Sequence, residues 1–339
     1  MIKHNKPTIG PEEKKAIDRV IRSRFLSSDI EVKKFENEMS NYLKLGDDNA
    51  VALSNGTAAL FILVNLLNKK KRDVIIPSYS CSSLLHAIRL NGSNAKILDV
   101  DQNFPNLDTK LIGKKKNLII YAQMYGLPSA IPINLRSNLI EDACQSLGAK
   151  VKNISVGLQG IAGVFSFYAT KIITSAGQGG MIVSKDKSLI KEIKDFINFD
   201  MRKDDKFRFN FQMTETQAAF GRAQLKKLNF FISKRKKIFN FYKKLGLNLM
   251  ENKNSDINQV FYRSIAYFKN PNRIIKILKK NKIECINPLE KFELLSKKNK
   301  YKNSLKFTGK TVSLPCYPSL TTGQLQHIGK ALKEIKSEF

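Results

Sequence analysis

The sequence predicts an α/β protein in which a large domain with a mostly parallel sheet precedes a smaller α+β domain. Between residues 73 and 184, short apolar runs rich in β-formers alternate with helical segments, a pattern typical of parallel strands covered by helices. The chain of 339 residues is long enough for two cores. A long helical pattern from Thr214 to about Leu245 lies between the two regions. We therefore expect residues 1–235 to form the large domain, with an N-terminal arm, and residues 236–339 to form the small domain.

Six short runs predict the strands of the large sheet. In chain order they are DVIIP (73–77), AKILDV (95–100), NLIIYA (117–122), NLIED (138–142), GVFSFY (163–168) and GGMIVS (179–184). In the second domain, residues 259–268 and 310–318 predict strands, with helices near Arg273–Lys280 and from Thr322 to Ile335. Gly246 suits the C-terminal cap of the long helix, because glycine readily adopts the left-handed conformation.

The formal net charge of +30 raises the question of nucleic-acid binding. Lysines are spread along almost the whole chain, whereas a nucleic-acid site concentrates cations on one element and interleaves them with stacking aromatics. Solvated surface charge is therefore favoured, and no nucleic-acid partner is expected. A nucleic-acid binder is kept as an alternative.

Membrane, secretory and metal-binding classes are not expected either. The longest strongly apolar run, Ala58 to Leu67, is too short to span a bilayer. The N-terminal segment lacks the apolar core of a secretory signal. The four cysteines form no CxxC pair and the three histidines are scattered, so neither a disulfide framework nor a metal site is predicted. These features predict a cytoplasmic protein.

Three segments carry residues suited to chemistry. The first is Ser54-Asn55-Gly56-Thr57, which precedes an apolar helix. Glycine lets the backbone approach an anion, and a helix N-terminus offers unpaired N–H groups. The alternative is an ordinary helix cap.

The second segment follows the strand NLIED. Asp142 ends that strand and Gln145 comes three residues later. Open α/β sheets bind ligands at the carboxyl ends of their parallel strands, where this carboxylate is expected. Asp142 as a simple helix cap is the alternative.

The third segment runs from Ser166 to Gly180 and is the most informative. A strand delivers Ser166 and then Lys171 into a glycine-rich turn, after which a second strand returns. A lysine amine acts as a Schiff-base nucleophile when it is desolvated or close to other cations, since both lower its ammonium pKa. By itself, a lysine in a loop is more often a surface residue.

Together with further segments in the same order, these resemble the DegT/StrS family of aminotransferases that act on nucleotide-linked sugars and depend on pyridoxal 5′-phosphate (PLP). The collinear segments are RFLSSDIEVKKFENEMSNYL, ALSNGTAAL, DVIIPSYS, DVDQNFPNLD, YAQMYG, IEDACQSLGA, SFYATKIITSAGQGGMIV, FNFQMTETQAAFGRAQLKKL and TVSLPCYPSLTTGQL. They cover nearly the whole chain. The resemblance implies a three-layer large domain of the fold type I transferase class.

The resemblance also implies roles for individual residues. Lys171 would carry PLP as a Schiff base and later shuttle the proton. Asp142 would bind the pyridine nitrogen, and Gln145 the phenolic oxygen. A favourable carboxylate keeps that nitrogen protonated, so that the ring acts as an electron sink. The phosphate would be held by Gly56, Thr57 and Ser166.

Family members are homodimers with shared active sites, so Asn210 is expected to reach the phosphate in the neighbouring subunit. The implied reaction moves an amino group from an amino acid, with L-glutamate as the expected donor, to a keto group of a nucleotide-linked sugar. Such a reaction belongs to amino-sugar and surface-polysaccharide biosynthesis.

Several positions depart from the family pattern. Cys81 stands where many members place an aromatic residue against the PLP ring. Gln212 replaces an arginine that offers a permanent cation for an anionic substrate group. We hypothesise that Arg208, four residues earlier, compensates for that loss, with Arg202 and Arg263 as further options.

Two alternatives share the fold. In a PLP-dependent sugar dehydratase the lysine is replaced, typically by histidine, so Lys171 argues against that activity. A non-catalytic binding or regulatory protein is favoured by Gln212 and Cys81, and disfavoured by Lys171 together with Asp142.

Overall fold

The computed structural model describes residues 1–296 and 300–335. The helices are α1 (Pro11–Ser23), α2 (Ile30–Tyr42), α3 (Gly56–Leu67), α4 (Ser83–Leu90), α5 (Lys187–Ile197), α6 (Glu215–Lys226), α7 (Leu228–Lys244), α8 (Pro271–Lys280), α9 (Lys302–Lys310) and α10 (Thr322–Lys333). The strands are β1 (Ala50–Leu53), β2 (Val74–Pro77), β3 (Ala95–Leu98), β4 (Leu118–Ala122), β5 (Leu139–Asp142), β6 (Lys150–Val151), β7 (Ile154–Ser155), β8 (Ala162–Ser166), β9 (Gly180–Val183), β10 (Ile257–Asn258), β11 (Ser264–Tyr267) and β12 (Thr311–Leu314).

The large sheet has the strand order β1-β9-β8-β5-β4-β2-β3. Strand β9 is antiparallel to both β1 and β8, and the other pairs in this sheet are parallel. The prediction of a mostly parallel sheet is therefore confirmed, with all six predicted strands present. Edge strand β1 was not predicted, because its four apolar residues lie too close to the apolar run of α3 to show a separate period.

Helices cover both faces of this sheet, which gives the three layers that the family resemblance implied. Side chains alternate between the two faces of a strand, and β1 shows the division. Val51 and Leu53 belong to a core formed with α3, α4 and α5. Ala50 and Ala52 belong to a second core, formed with α2, α6 and the first turns of α7.

The prediction of one continuous helix from Thr214 to about Leu245 is wrong, because the helix is interrupted at Lys227, between α6 and α7. The predicted cap at Gly246 is confirmed by its φ of +88°. Along α7, Phe231 packs in the large-domain core, whereas Ile238 packs in the core of the C-terminal region. We propose that the domains divide between these two side chains, where the sequence placed the boundary.

The C-terminal region pairs β11 with β12 and packs α7, α8 and α10 around them. The N-terminal arm also reaches this region, since the Ile2 amide donates to the Lys282 carbonyl at 2.8 Å. Three residues later, the Asn5 side chain donates to the Thr170 carbonyl at 3.0 Å. The arm therefore ties the C-terminal region to the segment that carries Lys171.

Among residues 1–296 and 300–335, every helix is too short or too polar to cross a bilayer.

Candidate active site

The N-terminus of α3 forms one wall of a cavity at the carboxyl ends of the parallel strands. Asn55 caps the helix, its side-chain oxygen accepting from the Ala58 amide at 2.9 Å. A Cβ on Gly180 would lie 2.4 Å from the Asn55 carbonyl carbon, so β9 can pack against this turn only with glycine there. A Cβ on Gly56 would lie 3.5 Å from the Ser166 Oγ. The first turn of α3 and the Ser166 hydroxyl thus border the same small space.

Asp142 ends β5, where it is in register with Ala122 of β4 and Val164 of β8. Its Oδ1 accepts from the Cys144 amide at 3.0 Å, which fixes the orientation of the carboxylate. Turns and then β6 follow, so the alternative that Asp142 caps a helix is wrong. The carboxylate is almost buried at the edge where the sheet binds ligands.

Gln145 is held by the turn that follows β4. Its Oε1 accepts from the Tyr125 amide at 2.9 Å, while its Nε2 lies 3.8 Å from the Met124 sulfur. Tyr125 has a φ of +59°, which is uncommon for a residue with a side chain. Because the amide oxygen is already engaged, the Nε2 group is the donor that Gln145 has left for a bound molecule.

Lys171 lies in the loop between β8 and β9, with its amide donating to the Tyr168 carbonyl at 2.9 Å. Its Nζ lies 5.7 Å from the centroid of the Tyr262 ring. Burial favours the neutral amine, but Tyr262, Cys144, Asp142 and other acidic groups outweigh burial and raise the pKa of Lys171. The lowered pKa of Lys171 expected from the sequence is therefore not found.

These segments meet in one cavity. The predicted site residues that line it are Gly56, Thr57, Cys81, Asp142, Gln145, Ser166 and Lys171. Further lining residues were not predicted from the sequence, among them Ser80, Ser83, Met124, Cys144, Tyr168 and Gln178. Cys144 and Tyr168 lie within the family motifs, so the motif positions themselves were a usable signal.

Tyr262 was also not predicted from the sequence, but for a different reason. It packs against the Lys171 amine from a position 91 residues further along the chain. No motif in its neighbourhood pointed to the cavity, and its place follows only from the way in which the C-terminal region docks.

Three predicted residues lie outside the lining of this cavity: Asn210, Arg208 and Gln212. Asn210 is exposed. The Gln212 side chain donates to the Ile197 carbonyl at 3.2 Å, and its backbone bridges Leu53 at the end of β1. Their functional assignments stay predictions.

Arg208 has a side chain that is only 3% exposed. Its guanidinium donates to both Asp195 and Asp204, each at 3.1 Å for the Nη2 contacts. The further options are engaged too, since Arg202 pairs with Asp195 and the Arg263 guanidinium lies 3.5 Å from His4 Nε2. Of the residues that line the cavity in the described part of the chain, Lys171 is the cationic one.

The cavity fits a phosphorylated pyridine aldehyde on three counts. Two glycines and the Ser166 hydroxyl leave a cradle at the start of α3, where the helix dipole favours an anion. An oriented carboxylate, Asp142, suits a protonated ring nitrogen. The Lys171 amine lies within the same walls. Among residues 1–296 and 300–335, no cluster of three His, Cys, Asp or Glu side chains is arranged to hold a metal ion.

The chain is similar to known proteins over nearly its whole length. Residues 7–333 match the DegT/DnrJ/EryC1/StrS aminotransferase family. The chain is 26% identical over 362 residues to GDP-perosamine synthase of Escherichia coli O157:H7, with 98% of each chain covered. It is 25% identical over 371 residues to UDP-4-amino-4,6-dideoxy-N-acetyl-β-L-altrosamine transaminase of Helicobacter pylori, covering 99% of this chain and 98% of that protein.

Solved structures share the fold. The aminotransferase TlmJ from Streptoalloteichus hindustanus superposes with a TM-score of 0.91 at 21% identity, with 98% of each chain covered. The family resemblance and the fold type inferred from the sequence motifs are both confirmed.

Proposed function

Because the chain belongs to the DegT/DnrJ/EryC1/StrS aminotransferase family, whose members depend on PLP, we propose that it moves an amino group from L-glutamate to a keto group of a nucleotide-linked sugar. The observation that carries this proposal is the meeting of Lys171, Asp142 and Ser166 from separate segments in one cavity. The names of the relatives, which refer to GDP- and UDP-linked amino sugars, support the substrate class. The product would serve amino-sugar biosynthesis.

Different residues of the cavity would bind different parts of PLP. Gly56, Thr57 and Ser166 would hold the phosphate, Asp142 the ring nitrogen and Gln145 the phenolic oxygen. When bound, PLP supplies an electron sink for the carbon that exchanges its amino group. The Asp142 carboxylate, fixed by the Cys144 amide, would hold the proton on the ring nitrogen and so strengthen that sink.

Lys171 would serve as the covalent anchor of the cofactor and, once released, as the base of the reaction. Its Nζ would accept the proton from the α-carbon of the donor and return it to the carbon on the other side of the transferred nitrogen. A general base must lie within hydrogen-bond reach of the proton it takes. Since Lys171 lines the same cavity as the carboxylate and the phosphate cradle, one amine can serve both purposes.

We further propose that the protein is a homodimer whose partner completes the site. Exposed apolar side chains precede Asn210, with Phe207 64% and Phe209 40% exposed and their ring centroids 4.9 Å apart. An apolar patch of this kind beside a polar residue is typical of a protein interface. Asn210 of one subunit would then reach the phosphate of the other.

A cytoplasmic location is proposed as well, on the four free cysteines in the sequence.

Turnover in two stages tests this function. The PLP-loaded protein is mixed with L-glutamate alone, and we expect one equivalent of 2-oxoglutarate for each active site. Addition of a panel of nucleotide-linked keto sugars should then yield an amino sugar, detected by mass spectrometry, for the correct substrate. PLP binding without any release of 2-oxoglutarate would instead identify the non-catalytic alternative. Loss of a hydroxyl from a sugar without transfer of nitrogen would identify a dehydratase.

A further inference from the structure

Tyr262 occupies a fixed position behind Lys171. It is only 3% exposed. The Val260 amide donates to the Gly126 carbonyl at 3.0 Å. Gly126 has a φ of +76°, and a Cβ there would lie 2.8 Å from the Tyr262 amide nitrogen, so the two backbones touch. The segment that carries Tyr262 is thus clamped onto the same turn whose Tyr125 amide holds Gln145.

Three cations converge on the Tyr262 ring. Lys171 Nζ lies 5.7 Å from the ring centroid, Arg263 Cζ 5.5 Å and Arg235 Cζ 5.9 Å. All three distances are within the range in which a cation is attracted to an aromatic ring. Arg235 is itself buried and donates to the Tyr262 carbonyl at 2.9 Å. The ring therefore links Arg235 of α7 and Arg263 of the C-terminal region to the amine in the cavity.

The Thr170 hydroxyl, on the residue before Lys171, also acts on the ionisation of the phenol. Burial raises the pKa of a phenol, and Tyr242, buried in the C-terminal core, follows that rule. At Tyr262 the nearby charges of Lys171, Arg263 and Arg235, with the Thr170 hydrogen bond, outweigh burial and lower the pKa to about 8. Phenol and amine therefore influence each other's ionisation.

We propose that Tyr262 is a positioning residue for Lys171: its ring, with the centroid 5.7 Å from the amine, stabilises the ammonium form of the released amine. This inference rests on the proposed function of Lys171. An amine whose protonated form is stabilised is a stronger base, so transfer of the donor's proton to Nζ becomes more favourable. The remaining acidic groups that act on Lys171 are Asp142, Cys144 and Cys81, all of which line the cavity.

The experiment measures the ionisation of both side chains in the cofactor-free protein. Labelling of Lys171 by an amine reagent is followed across pH by peptide mass spectrometry, and the phenolate is followed by near-ultraviolet absorbance. In Tyr262→Phe, we expect the labelling midpoint of Lys171 to move to lower pH. The variant should also lose one phenol that titrates near pH 8 in the wild type.

Tyr242→Phe is the matched control, because it removes a buried hydroxyl that donates to the Pro315 carbonyl outside the cavity. It should leave the Lys171 midpoint unchanged. Thr170→Val provides a second variant that keeps the Tyr262 ring, and we expect the phenol to titrate at higher pH in it. In PLP-loaded protein, Tyr262→Phe should lower kcat by roughly tenfold with KM unchanged.

An unchanged Lys171 midpoint in folded Tyr262→Phe overturns the proposal, as does a shift of equal size in Tyr242→Phe. Failure of the proposed function would look different, because borohydride mapping would then find the cofactor on a residue other than Lys171. The labelling midpoints come from cofactor-free protein, so they are measured in either case.

Discussion

Tyr125 and Gln145 are joined by a hydrogen bond of 2.9 Å from the backbone amide of the tyrosine to the side-chain oxygen of the glutamine. The bond fixes which end of the Gln145 amide faces the cavity. It is made by a residue with a φ of +59°, in a turn that the C-terminal region packs against. The orientation of Gln145, which we propose to bind the cofactor, thus depends on the contact between the two regions of the chain.

Lys171→Ala should abolish catalysis and covalent attachment of PLP while leaving the fold intact, since Lys171 is the cationic side chain among the described residues that line the cavity. Borohydride reduction of the loaded wild type, followed by peptide mapping, should place the pyridoxyl group on Lys171. The exposed Lys185→Ala is the control and should retain activity. A pyridoxyl group on another lysine would overturn the assignment.

Asp142→Asn should lower activity far more than it lowers stability. An amide can still hydrogen-bond the ring nitrogen but cannot stabilise its protonated form. Loss of such a preorganised charge costs about 3 kcal/mol, roughly a hundredfold in rate. Asp101→Asn is a matched control, because Asp101 accepts from the amide two residues later, as Asp142 does, but lies outside the cavity. Activity within a few-fold of wild type would remove Asp142 from this role.

Mixing Lys171→Ala and Asn210→Ala chains should restore partial activity if the sites are shared. Each heterodimer would then contain one site with both residues intact. Each variant must first be shown to be inactive alone, and subunit exchange must be demonstrated by native mass spectrometry. Exchange without any return of activity would mean that the two residues act in the same subunit.

Arg208→Ala is expected to lower the melting temperature rather than to raise KM. The guanidinium is nearly buried and already bound to Asp195 and Asp204, which would lose their shared partner. Arg202→Ala is the comparison, since Arg202 contacts the same Asp195 from a more exposed position. A raised KM for either substrate at unchanged stability, partly restored by Gln212→Arg, would instead support compensation for the missing family arginine.

Glu36 should make stability depend on pH. Its Oε1 accepts from the Ala52 amide at 2.8 Å, and burial raises its pKa to about 7. Because the folded pKa exceeds the unfolded value of 4.5, the stabilising contribution is complete below about pH 4.5 and is lost as pH rises to about 7. The loss is up to roughly 3 kcal/mol. In denaturant titrations across this pH range, the free energy of unfolding of Glu36→Gln should not fall in this way. Glu192→Gln, which changes an exposed glutamate in a helix, should still show the fall.

Much of the architecture and the chemistry of the cavity could be predicted from the sequence, because both reside in local patterns. Apolar runs bounded by turn residues predicted β2, β3, β4, β5, β8 and β9. In an open parallel sheet, the residues that follow such strands meet at one edge. Asp142 and Ser166 therefore lie in one cavity because their strands are adjacent, and Lys171 joins them from the loop after β8.

Other features were decided only by tertiary structure, because they depend on contacts between residues far apart in the chain. At Lys227 a helical pattern that looked continuous in the sequence is interrupted. Arg208 forms an ion pair with Asp195, which lies near the end of α5. Tyr262 reaches Lys171 only because the C-terminal region docks on the turn at Gly126. The sequence by itself predicted seven of the residues that line the cavity, among them Lys171, Asp142 and Ser166. The long-range packing determined how they are oriented and charged, since burial and neighbouring charges exist only in the folded chain.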